Sequence, residues 1–222
     1  MMRKLLILAA LGAATIPAAS NAALIYRPNG YFDVYGSYLN QKFEGTDQNP
    51  DGGGVGIAAQ LNLPLNFFLE GMYQYNNLHA PGSGFVPGFN EQQDQGRVGG
   101  GINLSLPLSP IVLFGKIDYV HYGVDLIQAN TDFGTTNHDG GGYFIGAKTR
   151  GLVVNLYAQG GWLDLEDASG PEYLAGLSVP VARGWFGPIE LFGQFRWDNL
   201  KLDDGGGHNR FYDYDVGFRF PF

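Results

Sequence analysis

From Tyr212 to Phe222 the chain alternates without a break. Tyr212, Tyr214, Val216, Phe218, Phe220 and Phe222 occupy one parity, and Asp213, Asp215, Gly217 and Arg219 the other. Successive side chains of a β-strand point to opposite faces, so this stretch is a ribbon with one apolar and one polar side. It runs to the final residue, within the pentad Phe218-Arg219-Phe220-Pro221-Phe222. In water a frayed end carrying three Phe would promote aggregation. The pattern therefore asks for a place where that end is paired and its apolar face is not in water.

The same ribbon recurs along the chain. Leu61-Asn62-Leu63-Pro64-Leu65, Leu104-Ser105-Leu106-Pro107-Leu108 and Leu177-Ser178-Val179-Pro180-Val181 repeat the terminal pentad's arrangement. Pro has no ladder donor and sits best at a strand's end, so each reads as a strand stopping at a turn. A second motif, a mid-strand Gly followed by an aromatic, marks rising strands at 31–38, 67–75, 111–119, 156–162 and 189–197. Falling strands lie between them at 55–64, 97–107, 143–149, 173–180 and 211–220. The count is ten, falling to eight if the strand at 143–149 or the one at 31–43 is misread. Short connections near 64–66, 107–110, 149–151 and 183–188 alternate with longer ones near 44–54, 78–95, 124–140, 164–171 and 199–210. The longer set is rich in Gly, Asp and Asn and reads as solvated loops.

Two faces per ribbon fit either a soluble sandwich or a membrane barrel. Sandwich strands are served by about 5 or 6 residues, whereas a strand crossing a bilayer needs about 9 to 11. Here Val55, Ile57, Ala59, Leu61 and Leu63 oppose Gly56, Ala58, Gln60 and Asn62, and Val98, Gly100, Ile102, Leu104 and Leu106 oppose Arg97, Gly99, Gly101, Asn103 and Ser105. The apolar parity ends in Tyr38, Tyr75, Tyr119, Trp162, Tyr173, Trp197 and Tyr212 toward the long loops, an interfacial girdle. Phe67, Trp185, Phe186, Phe220 and Phe222 supply the other rim. The expected fold is all-β: a ten-stranded antiparallel up-and-down transmembrane β-barrel. Closure is compulsory in hydrocarbon, where an open sheet edge leaves backbone groups unpaired.

Residues 1–22 have a basic start at Arg3-Lys4, an apolar stretch and a small-residue exit at Ser20-Asn21-Ala22, the layout of a secretory signal peptide. The barrel is then expected over 23–222. There is no Cys, so neither disulfides nor thiolate metal sites arise. The formal charge of -8 includes Arg3 and Lys4 and becomes -10 without them, which excludes a basic face for nucleic acid. Aromatics at 14% against only 15% charged residues argue against disorder.

The alternating last strand ending in Phe222, together with the signal peptide, resembles bacterial outer-membrane β-barrel proteins. The stretch Gly101-Ile102-Asn103-Leu104-Ser105-Leu106-Pro107-Leu108-Ser109-Pro110 is similar to the turns of YfaZ-like small barrels. The resemblance implies an outer-membrane location after export, contact with outer-membrane lipid and lipopolysaccharide, and reading of the C-terminal strand by the outer-membrane assembly machinery. Pro221 departs from the family's common penultimate residue.

Ten strands give a backbone radius of roughly 9 to 10 Å, which inward side chains largely fill. One register of the last hairpin sets Glu190 opposite Arg219 and Arg196 opposite Asp213, so a lumen of mutually neutralising charges is expected, with Arg97, Asp118, Lys116 and Glu70 also inside. Gly99, Gly101 and Gly217 face inward and would leave space. A mostly plugged monomeric barrel with a structural or loop-mediated role follows, against a narrow passive channel or, further off, a lipid- or peptide-hydrolysing enzyme. No cofactor is expected. Asp118 and His121 have opposite parity and cannot form a dyad on one strand. Acidic loops, with Glu44, Asp47, Asp51, Asp164, Glu166, Asp167, Glu172, Asp203 and Asp204, suggest shared divalent cations at the cell surface.

Overall fold

A computed structural model describes residues 29–44, 49–82, 88–128, 131–149, 153–184, 187–203 and 207–222. The expected signal peptide, Asp47, Asp204, Trp185 and Phe186 lie outside them. Ten antiparallel strands, β1(Gly30–Phe43), β2(Asp51–Asn62), β3(Phe67–Ala80), β4(Phe89–Ser105), β5(Ile111–Gln128), β6(Thr131–Thr149), β7(Asn155–Leu165), β8(Ala168–Gly184), β9(Gly187–Leu202) and β10(His208–Pro221), form a closed barrel. Each strand pairs with its neighbours in sequence, and β10 closes on β1.

The terminal Phe sits in that seam. Phe222 N–H donates to the Gly30 carbonyl at 3.0 Å and Gly30 N–H to the Phe222 carbonyl at 3.1 Å. The carboxyl terminus therefore does not fray, and the apolar parity of β10 points outward with Val216, Phe218 and Phe222 exposed.

The outer face is apolar around the barrel. Val55, Val98, Ile117, Ile145 and Val216 are all more than half exposed. A continuous exposed apolar band of that kind is incompatible with an aqueous surface and is what a lipid-facing wall requires. Tyr38, Tyr75, Tyr119, Trp162, Tyr173, Trp197 and Tyr212 all lie on this outward parity at the long-loop end. Tyr173 and Trp197, paired across β8 and β9, stack at 5.5 Å.

Several boundaries differ from the sequence reading. The strand at 143–149 is the end of a 19-residue β6 that begins at Thr131, so most of 124–140 is hairpin rather than loop. Likewise β7 and β8 extend through 164–171, leaving only Glu166 and Asp167 between them. Above the girdle the outward parity is polar, and the apolar residues, such as Leu163, Leu165 and Ala168, lie on the inward parity, so these segments lack the outward apolar face by which the other strands are recognised. Pro180 does not stop its strand. It sits at an irregularity in the β8–β9 register between Pro180 and Ala182, and β8 runs on to Gly184. A bulge tolerates the missing N–H and reverses the parity beyond it. Pro64 and Pro107 do lie in short turns, whose left-handed residues are Leu65, Asn66 and Leu108.

Most inward glycines leave no room. Gly56 and Gly217 lie on either side of Tyr35, each directly opposite it in register. A Cβ on Gly56 would meet the Tyr35 ring at 2.4 Å, and one on Gly217 would meet Tyr35 Cβ at 2.5 Å. Gly101 faces Phe68 and Lys116, Gly146 faces Phe114, Gly161 faces Phe144 and Gly176 faces Tyr157 in the same manner. Gly99 makes way for the Asp118 carboxylate. Side chains from adjacent strands fill the expected free space beside Gly101 and Gly217, whereas Gly99 borders open space in the lumen as well as the Asp118 carboxylate.

Candidate functional site: a lumen closed at one end

The interior divides into a cup, a polar layer and an apolar plug. The cup opens at the short-turn end and encloses a cavity of about 1340 Å³. Its walls carry Tyr31, Tyr157 and Phe192 on one side and Phe68 and Phe114 on another, and its inner limit is set by Met72, Arg97, Asp118 and Arg196. The register change at Pro180 turns Arg183 into the mouth, where strict alternation would have faced it to lipid.

Cations in the cup lie against aromatic rings and carboxylates. Arg219 donates to both carboxylate oxygens of Asp33 at 2.9 and 2.8 Å and stacks over Tyr31 at 3.9 Å. Lys116 joins Glu70 and Asp118, the latter at 2.8 Å, with its ammonium 5.0 Å from the Phe144 ring centre. Lys148 lies over Phe68 and Phe114 at 5.3 and 5.5 Å.

Above the cup, a connected polar layer crosses the lumen. Arg97 on β4 forms a bidentate pair with Glu172 on β8, at 2.9 Å from Nη1 and 2.5 Å from Nη2. Arg97 Nη2 also donates to the Tyr122 hydroxyl at 3.2 Å, and that hydroxyl donates to Asp198 at 3.4 Å. Arg196 pairs with Asp213 and approaches Asp198 at 3.9 Å. Asp213 accepts from Gln74 Nε2 at 2.9 Å, and Gln74 in turn accepts from Tyr35 at 3.3 Å. Every member is buried. Against this layer lies a void of about 10 Å³, bordered by Leu39, Tyr122, Arg196 and Phe211. That is barely the space of one water. Leu39, Leu78, Val120, Leu163, Leu165, Leu200 and Phe211 then pack into a cluster that fills the barrel toward the long-loop end.

The structure brings together some of the residues singled out from sequence and separates others. Arg196 and Asp213 are opposite in register and in contact, as are Lys116, Asp118 and Glu70. Glu190 is opposite Arg219 in the same register, yet the ion pair expected there does not form. Arg219 turns to Asp33 on β1, and Glu190 accepts from Ser178 at 2.6 Å. Arg219 has an acidic neighbour on each side, and Asp33 takes both guanidinium bonds. Glu172 is not a loop acid; it is fully buried against Arg97. It shares parity with Leu174, Gly176 and Ser178, so carrying the alternation two residues upstream would have found it. Asp33 shares parity with Tyr35 and Ser37 and was equally readable. Full neutralisation also fails: Asp215 accepts from Gln194 at 2.6 Å but joins no ion pair among the described residues, and Glu91 Oε1 has no hydrogen-bond partner among them.

At the long-loop end His121 Nδ1 lies 2.7 Å from Asp139, and His138 Nδ1 lies 3.2 Å from Asp167. Tyr119 donates to the same Asp139 at 2.6 Å. Glu44 accepts from the His208 backbone N–H at 3.1 Å, and Asp51 from Tyr38 at 2.5 Å. No group of three His, Asp or Glu suited to a metal ion occurs among the described residues.

No protein-family model matches this sequence, and no curated protein does, so the likeness to YfaZ-like barrels gains no support. Solved structures similar to it include Neisserial surface protein A, at 8% identity and TM-score 0.45, covering 87% of this chain and 97% of that one. The attachment invasion locus protein Ail of Yersinia pestis is 11% identical over 88% of this chain and 100% of its own, at TM-score 0.42. The outer membrane protease OmpT of Escherichia coli is 8% identical over 90% of this chain and all of its own, at TM-score 0.46.

Proposed function

We propose that this protein is an outer-membrane barrel, sealed against passive flow, that acts through its surfaces. With short turns toward the periplasm, as in outer-membrane barrels generally, the cup faces the periplasm and the plug faces outward. The observation that carries the reading is the sequence of obstacles inside: the cup ends at Arg97 and Arg196, a void of about 10 Å³ lies against that layer, and the leucine cluster closes the rest. An ion leaving the cup would have to displace a bidentate pair and then cross an apolar core.

A narrow channel is the second reading, favoured by the depth of the cup, which leaves only the outer half of the lumen as a barrier. Planar-bilayer recording of the refolded protein separates the two. The sealed barrel gives no steady current, and reproducible ohmic steps from the unmodified chain would overturn it. Enzymatic activity is not part of the proposal: His121 and His138 lie against the carboxylates of Asp139 and Asp167, and a hydrolase needs in addition a positioned nucleophile or an activated water. The barrel closes within one chain, so the functional unit proposed is the monomer.

A further inference from the structure

The basic residues are sorted between the two faces of the barrel wall in an uneven way. Arg97, Lys116, Lys148, Arg196 and Arg219 face the lumen, and Arg183 its mouth. Among the described residues, the bases left for the outer face are Lys42, Arg210 and Lys201, on the adjacent strands β1, β10 and β9. All three are exposed and share the outward parity of the aromatic girdle.

Lys42 and Arg210 are direct cross-strand partners, and Lys201 is opposite His208, two residues further along β10. Like charges directly opposite on one sheet face repel, with Cβ atoms only about 4.5–5.5 Å apart. No ion pair to any of the three is formed among the described residues. The acid beside them, Glu44, directs its carboxylate to the His208 backbone N–H at 3.1 Å.

Its height identifies what it meets. Tyr212 and Trp197 are opposite one another, and Arg210 lies two residues beyond Tyr212, roughly 7 Å toward the long-loop end. The Lys42 ammonium is 5.3 Å from the centre of the Tyr212 ring. Girdle aromatics mark the boundary between hydrocarbon and headgroups, so the cluster lies among the headgroups.

We propose that Lys42, Arg210 and Lys201 hold the phosphate of a phosphorylated acyl glycolipid in the outer leaflet, its chains lying along the apolar wall below the girdle. The anion relieves the opposed charges, and Arg210 offers it a forked donor. Lipid contact at this rim then runs through bases directly, without the divalent cations that acidic loops would need. The site depends on the outer-membrane orientation and not on the sealed lumen.

The test uses the refolded barrel in detergent, titrated with a bisphosphorylated acyl diglucosamine lipid and, separately, the same lipid without its phosphates, with retention read by native mass spectrometry. The unmodified chain should prefer the phosphorylated lipid. Replacing all three residues (K42Q, K201Q and R210Q together) should weaken its retention on the order of 100-fold, at about one charge contact each. Heat-modifiable gel mobility reports whether each variant forms the barrel, so failure to insert is distinguished from failure to bind. Should the triple variant not fold, the single variants K42Q and K201Q are titrated, with about fivefold weakening expected of each. Equal retention of the two lipids, or unchanged affinity in the folded variants, overturns the proposal. Displacement of the lipid by millimolar inorganic phosphate would show a free-anion site and overturns it as well.

Discussion

Replacing Arg97 with Met tests the polar layer where it is best defined. Arg97 and Glu172 have side-chain exposures of 6% and 0%, and they share two charge-assisted hydrogen bonds. Met keeps much of the volume and removes both bonds together with the one to Tyr122. Glu172 is then left with Gln159 Nε2 at 3.4 Å, a weak neutral partner for a buried carboxylate. Breaking a buried pair from one side costs about 3–5 kcal/mol, most of it the stranded charge. The two ends should not be equivalent. Arg97 borders the cup and can turn its guanidinium toward water there, while Glu172 is not on the cavity wall. Glu172→Leu is therefore expected to cost less than Arg97→Met, by roughly 1–2 kcal/mol out of that range. The double variant carries no stranded charge and should lie within about 1–2 kcal/mol of the unmodified protein. Reversible urea unfolding in phospholipid vesicles, followed by tryptophan fluorescence, measures all four corners of the cycle. If Arg97→Met loses less than about 1 kcal/mol, or if the double variant loses the sum of the singles, the layer is solvated and the reasoning fails.

Arg196→Leu strands Asp213 and removes the cation nearest Asp198, so the unfolding temperature should fall at least as far as for Arg97→Met, and an unchanged melting profile would refute the pairing. Gly161→Ala should cost about 1–3 kcal/mol in the same urea assay, because its Cβ would lie 2.2 Å from the Tyr143 carbonyl and 2.3 Å from the Phe144 ring. Gly36→Ala, on the outer face with its nearest neighbour 3.9 Å away, should instead be neutral or stabilise slightly.

What the sequence revealed follows from which face each segment shows to which solvent. Where lipid lies on one side and the lumen on the other, as in Val55–Asn62 and Tyr212–Phe222, alternation is complete, and the register expected from setting Glu190 opposite Arg219 and Arg196 opposite Asp213 is the register of β9 on β10. Beyond the girdle the contrast vanishes, and Thr131–Asp139 has the polar composition of a loop although it is strand. The choice of Asp33 over Glu190 by Arg219 was not legible, because it depends on β10 closing against β1 across the whole length of the chain. The apolar plug was hidden for a similar reason. Leu39, Leu78, Leu163 and Leu200 share the inward parity with polar residues on their own strands, and only closure of the barrel gathers them.

Charge by itself does not specify this register. Sliding β10 two residues along β9 would keep every face and place Arg196 opposite Asp215 instead of Asp213, with an acid still in reach. Shape distinguishes the two arrangements. Tyr35 is accommodated because Gly217 on one side and Gly56 on the other both lack a Cβ at its level. A two-residue slip at the seam would replace Gly217 with Asp215 or Arg219 opposite Tyr35, where a side chain would enter the ring's space. The same steric test recurs at Phe68 with Gly101, Phe114 with Gly146, Phe144 with Gly161 and Tyr157 with Gly176. Inward aromatic and glycine pairs on adjacent strands thus fix the register that the ion pairs then exploit, and the abundant glycine is the steric complement of the inward aromatic rings.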